Sequence, residues 1–208
     1  MRFVRTGTVI AIGLIGYLLI AQTGRAQTQM MGSMREMMQN MMGDRLPPGI
    51  DPALLPDPNS KGAHLLAQYC AQCHNLPGPG MHTSSEWPGV VGRMTTRMQM
   101  MGRMEIPMMG RIAAPNEGEI RAITDYLKHY AQRPIKDKSI LQGRAGKAFS
   151  TTCAQCHVLP DPAQHTPNEW PSVVSRMKEY ERVMGKIVPD EATTKEIISF
   201  LQQFGRRG

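Results

Sequence analysis

Apolar positions along the chain recur at helical rather than alternating spacing. Ile120, Ile123, Leu127 and Tyr130 form one stripe, and Asn116 with Glu119 upstream fits a capping box. Ile197, Phe200, Leu201 and Phe204 repeat the stripe after Thr193 and Glu196. Earlier in the chain, Asn59 or Ser60 suits the N-cap of a helix carrying Gly62, Leu65 and Leu66, and Gly146, Ala148 and Phe149 take similar places later. Pro88 and Pro171 suit the first turn of a further helix. Its apolar face would be Val90, Val91 and Met94 in one copy, and Val173, Val174 and Met177 in the other. Proline-rich loops at 76–79 and 159–162 separate these elements. No segment alternates with period two, so the expected fold class is all-α.

Composition adds a constraint. The 208 residues are 41% hydrophobic but only 5% aromatic, thin material for two small cores. Domains of that size usually need a metal or cofactor as a staple.

The first 26 residues read as a secretory signal. Arg2 and Arg5 form a basic start, residues 9–21 are an apolar stretch of 13, and Gly24 and Ala26 place cleavage after Ala26. The stretch is short beside the roughly 20 residues of a membrane span. The expectation is a cleaved signal, a periplasmic mature protein and no stable membrane span; an uncleaved signal would instead be an anchor. The formal charge of +7 includes Arg2, Arg5 and Arg25, so cleavage leaves +4. Basic residues are dispersed and no aromatic-rich basic patch accompanies them, which argues against nucleic acid as a partner.

All four cysteines fall in one pattern used twice, Cys70-Ala-Gln-Cys73-His74 and Cys153-Ala-Gln-Cys156-His157. C-x-x-C-H is the attachment sequence of c-type haem. On a helical turn, positions i, i+3 and i+4 share a face, so two thiols can add to the vinyl groups of one haem while the imidazole reaches its iron. A thioredoxin-like site would want a βαβ setting, and a zinc site would want its cysteine pairs some 15–20 residues apart. Here the pairs lie 83 residues apart.

That interval is a repeat. Residues 70–94 match 153–177 at 17 of 25 positions, among them Leu76/Leu159, Pro77/Pro160, His82/His165, Glu86/Glu169, Trp87/Trp170, Arg93/Arg176 and Met94/Met177. The expected organisation is a signal at 1–26, a Met- and Pro-rich arm at 27–58, one domain at 59–131, a linker at 132–139 and a second domain at 140–208.

Across residues 59–205, the order of helix, C-x-x-C-H, proline loop, W-P-x-V-V-x-R-M and terminal helix resembles class I-type c cytochromes in tandem. The resemblance implies about three helices per domain around a covalent haem c, and two haems in all. Cys70, Cys73, Cys153 and Cys156 would carry thioether links, with His74 and His157 as proximal iron ligands. It implies electron transfer in an oxidising compartment, with redox proteins as partners. A methionine usually closes the distal side. Met94 and Met177, each 20 residues after the proximal histidine, are the favoured ligands, and Met109 and Met184, in Met-Gly-Arg-Ile and Met-Gly-Lys-Ile, are the alternative. His82 and His165 lie too close in sequence to the proximal histidine to reach the opposite face readily. A hydrogen bond to a propionate or to backbone is the expectation for them. Trp87 and Trp170 are expected to wall the haem, with their indoles donating to propionates. Arg93 and Arg176 read equally as propionate partners and as solvated helix residues.

Methionine is abundant, with 18 in the chain. Met30, Met31, Met34, Met37, Met38, Met41 and Met42 crowd the arm, and Met98, Met100, Met101, Met104 and Met108 fill a stretch absent from the second copy. Thioethers suit Cu(I), but a soft apolar docking face is the preferred reading. An electron carrier, or the cytochrome subunit of a redox enzyme, is thus the expected function, with no catalytic motif. A dihaem peroxidase and a copper-handling protein are the alternatives.

Overall fold

A computed structural model describes residues 48–103 and 112–207. Its regular elements are helical: α1 (Lys61–Cys70), α2 (Trp87–Arg103), α3 (Glu117–His129), α4 (Arg144–Cys153), α5 (Trp170–Val183) and α6 (Glu191–Phe204). Short 3-10 turns lie at Pro52–Leu54, Pro79–Met81, Lys138–Gln142 and Pro162–Gln164. Among the described residues there are no strands, only two isolated bridge pairs. The all-α expectation holds for these residues.

Local chemistry sets the helix starts. Ser60 Oγ accepts from Ala63 N at 3.3 Å and begins α1. At α3 both arms of the capping box form: Asn116 Oδ1 accepts from Glu119 N at 3.0 Å, and Glu119 Oε2 accepts from Asn116 N at 2.8 Å. Helix α6 starts earlier than the Thr193/Glu196 pattern suggested. Asp190 is its N-cap, with Oδ1 accepting from Thr193 N at 2.7 Å. An aspartate three residues earlier caps at least as well as a threonine, so Thr193 lies inside the first turn.

Packing falls into two clusters with no buried residue in common. The first joins Leu65, Leu66 and Tyr69 of α1, Trp87 and Val91 of α2 and Ile123 and Leu127 of α3, with Leu55 closing it. Helices α1 and α3 cross closely because Gly62 lacks a side chain: a Cβ there would sit 2.4 Å from Tyr126 Cβ. The second joins Phe149 of α4, Trp170 and Val174 of α5 and Ile197, Phe200 and Leu201 of α6. Phe149 and Phe200 meet with ring centroids 5.3 Å apart. Gly146 plays the close-approach role here, against the backbone of Ile140 and Leu141.

The segment between the clusters is polar in sequence yet pinned in space. Gln132 is buried. Its N–H donates to His82 O at 3.0 Å, while Asp161 N donates to Arg133 O at 2.8 Å and Ile135 N to Leu159 O at 2.9 Å. Residues 132–135 therefore lie along both proline loops at once. Tyr180 on α5 also donates to Gly49 O at 3.2 Å, tying the start of the described chain to the later helices.

Candidate functional site

Each cysteine motif begins on the last turn of a helix and runs into a proline loop. Cys70 ends α1 and Cys153 ends α4. The motif turn therefore faces the first helix's own core neighbours, and Cys70 and Cys153 pack at the edge of the two clusters. All four thiols are unpaired. Burial pushes Cys70 up to about 11 and Cys153 up to about 12, and it raises Cys73 as well. A reactive dithiol site depends on depressed thiol pKa values, so these sulfurs are poor thiolates. Among the described residues, no group of three or more His, Cys, Asp or Glu is arranged to hold a metal ion by itself.

The histidines are pre-oriented. His74 Nδ1 lies 2.8 Å from Asn75 O, and His157 Nδ1 lies 2.9 Å from Val158 O. A carbonyl oxygen only accepts, so the bond at His74 puts the proton on Nδ1; His157 Nδ1 has both Val158 O at 2.9 Å and the amide nitrogen of Gln132 at 3.1 Å beside it, and the Val158 bond puts its proton on Nδ1 in the same way. Nε2 keeps a lone pair for a metal, and this backbone bond fixes the ring as outer-shell partners of ligating histidines do. Two thiols and an Nε2-free imidazole on one turn are a donor set that fits covalent haem.

The glutamine inside each motif has a function that sequence reasoning missed. Gln72 Nε2 donates to Ala113 O at 2.8 Å, and its Oε1 accepts from Ala113 N at 2.9 Å. Gln155 does the same with Ile187, at 2.8 and 3.0 Å. Each amide mimics a strand partner and clips the approach to the last helix onto the motif. The signal was present, since the same residue fills the same variable position in both copies.

Trp87 and Trp170 are almost fully buried, and their indoles are already committed. Trp87 Nε1 donates to Pro79 O at 2.9 Å and Trp170 Nε1 to Pro162 O at 3.0 Å. The expected indole–propionate bond is corrected accordingly: a buried N–H takes the nearest carbonyl, and here the proline loop supplies it. His82 and His165 stand edge-on to these rings, at 4.9 and 4.8 Å. Burial lowers the pKa of both histidines, with Glu86 and Glu169 opposing the shift. Each glutamate is tied by Oε2 to the N–H of Thr83 or Thr166, at 2.8 and 2.7 Å. Arg93 and Arg176 are exposed.

Met94 and Met177 are half-buried on α2 and α5. Met94 shares the inward stripe of Val91, Thr95 and Met98, and Met177 that of Val174 and Glu181. Met184 is half-buried at the C-cap of α5, before Gly185 turns the chain at φ 62°. Met109 lies outside the described residues, as do Met104, Met108 and the methionines of the arm. The two alternative methionines are also out of step. The N-caps Asn116 and Asp190 are 74 residues apart, as are the clipped residues Ala113 and Ile187, whereas Met109 and Met184 are 75 apart.

The helices, the C-x-x-C-H turn and the oriented histidine of the first half define a c-type cytochrome domain. The family model described as cytochrome c oxidase, cbb3-type, subunit III matches residues 57–127. Such a domain implies haem c and haem-based electron transfer, and domains of this kind typically lie outside the cytoplasm. The match ends before Cys153. No curated protein and no solved structure shows significant similarity to the chain. No helix among the described residues is long and apolar enough to cross a membrane.

Proposed function

We propose that the chain is an exported dihaem cytochrome, two tandem domains that pass single electrons between redox proteins in the periplasm. One observation carries the second haem: the site at residues 153–157 repeats four supporting contacts of the first. The glutamine clip, the imidazole-to-carbonyl bond, the indole-to-proline bond and the edge-on histidine all recur. A second motif preserved only by chance would have no reason to keep its supporting contacts.

In this reading Cys70, Cys73, Cys153 and Cys156 hold the haems by thioether links, and His74 and His157 bind the irons through Nε2. Met94 and Met177 are the favoured distal ligands because they share the repeat's period and the inward stripe. Met109 and Met184 remain the alternative. Haem supplies an iron that cycles between ferric and ferrous, and a His/Met pair raises its potential. The chain's own residues orient the imidazoles, clip the last helix to the motif and exclude water with Trp87 and Trp170.

The test is a pyridine haemochrome count with intact mass on the mature protein. Two haems per chain are expected; one haem, or free thiols at Cys153 and Cys156, overturns the dihaem reading. Met177→Ala should abolish the Met-ligation absorption band of one haem, and survival of both bands would transfer the role to Met184.

The likeness of residues 57–127 to an oxidase subunit favours a second form of the same function, a cytochrome subunit docked in a larger redox complex. Native-gel migration of the haem stain from membranes and periplasm separates the two: a bound subunit runs far above the mass of the chain.

A further inference from the structure

The two sites differ at one buried position. Counting on by the repeat period, Met98 on α2 corresponds to Glu181 on α5, each eleven residues into a helix that opens with Trp87 or Trp170. Met98 packs against the first core. Glu181 is only 7% exposed, and its Oε2 has no hydrogen-bond partner among the described residues. Its Oε1 receives one long bond, from Gln155 Nε2 at 3.4 Å. It therefore stands against the second attachment segment, near enough to Cys153 to raise that thiol's pKa. Lys178, one turn earlier, lends it some positive field but is ion-paired at 2.9 Å with Glu191 of α6. A buried, half-satisfied carboxyl costs stability, so its presence where a methionine serves in the other repeat asks for a function.

We propose that Glu181 sets the second haem site apart from the first, its carboxylate lowering the reduction potential of that site below the value a neutral residue would give. The inference rests on the dihaem reading. A fixed negative charge in a poorly solvated place stabilises ferric iron over ferrous. A neutral thioether at Met98 leaves the first site without this effect. The effect depends on ionisation. Burial raises the Glu181 pKa, and below it the carboxyl is neutral. Across that range, each electron accepted from a one-electron donor draws part of a proton from solvent onto the carboxylate. The potential of the second site therefore falls as pH rises through it. The groups facing the carboxyl are Lys178 on its own helix, Glu191 behind that lysine, Gln155, and the Cys153 sulfur, which is uncharged in a thioether.

The experiment is a spectroscopic redox titration of the full holoprotein from pH 5 to 9, with dithionite as reductant and haem counted in every sample. Glu181→Gln and Glu181→Met should move one wave upward by about 59 mV, a tenfold shift of its one-electron equilibrium, flatten its pH dependence and leave the other wave in place. Met98→Glu should lower the other wave. Glu181→Met supplies the residue the first repeat already accommodates, which guards against a folding failure of the glutamine variant. Two haems with both waves unmoved in these variants overturns the inference alone. One haem per wild-type chain overturns the dihaem reading and the inference with it.

Discussion

Gln132 Nε2 lies 3.1 Å from His157 Nδ1, and the two nitrogens converge on one acceptor, Val158 O, at 2.9 Å each. Among the described residues nothing equivalent reaches His74, whose Nδ1 bonds Asn75 O. A residue from the segment joining the two halves therefore shares the carbonyl that orients the second imidazole. In the dihaem reading, with the proton of His157 on Nδ1, sharing weakens the Nδ1–H bond and with it the electron donation from the imidazole to the iron. Gln132→Leu should leave that carbonyl to His157 alone and lower the potential of the second site. A redox titration reads the shift, and an unmoved second wave removes Gln132 from any tuning role.

The glutamine clips predict a stability loss in both halves, larger for Gln155, which also bonds the buried Glu181. Gln72→Leu or Gln155→Leu deletes the paired bonds to Ala113 or Ile187 and strands those backbone groups, worth about 1–3 kcal/mol. Urea unfolding of each holoprotein variant measures it. A change below a few tenths would mean that water serves these groups as well as the amide does.

Close approach predicts the effect of adding one carbon. Gly62→Ala places a Cβ 2.4 Å from Tyr126 Cβ, and Gly146→Ala places one 2.6 Å from Leu141 Cα. Helix propensity favours alanine by about 1 kcal/mol, whereas overpacking costs about 1–3 kcal/mol. Net destabilisation is the expected sign for both variants in thermal melts. Gly92→Ala, whose Cβ would meet nothing within 4 Å, should stabilise or be neutral.

Acid should loosen the proline loops first. Bonds from Thr83 and Thr166 hold the Glu86 and Glu169 carboxyls below their usual range, and Thr193 does the same for Asp190. A carboxyl whose folded pKa is depressed contributes stability that is complete above its unfolded pKa of about 4. That contribution is lost as pH falls through the lower folded value. Melting temperature should therefore drop below about pH 4, and the drop should be shallower in Glu86→Gln/Glu169→Gln. An unchanged acid limb in that double variant would assign the loss to other carboxyls.

Much of this was readable from the chain because it is local. Ser60, Asn116 with Glu119, and the prolines after each Trp act within one turn, and the helices begin where those residues place them. The attachment motifs were legible for the same reason. What escaped reading depends on partners far along the chain. Asp190 is the exception, a local cap three residues before Thr193 that was passed over for the later threonine. The Trp indoles read as able to donate to a propionate, whereas their acceptors lie eight residues back in the chain. Gln132 reads as linker polarity, and its burial follows from partners 50 residues before it and 26 after it. Glu181 was visible as a mismatch, but it stands just past the stretch where the repeat is dense in identities.

The strip at 132–135, bonded to the loop of His82 on one side and to those of Leu159 and Asp161 on the other, acts as a splint. Swinging either half away from the other requires breaking main-chain bonds on that side rather than stretching a slack tether. Whatever spacing the two halves hold is thus kept by the backbone itself. In the proposed dihaem reading, a hop between the halves would not have to wait for them to re-dock.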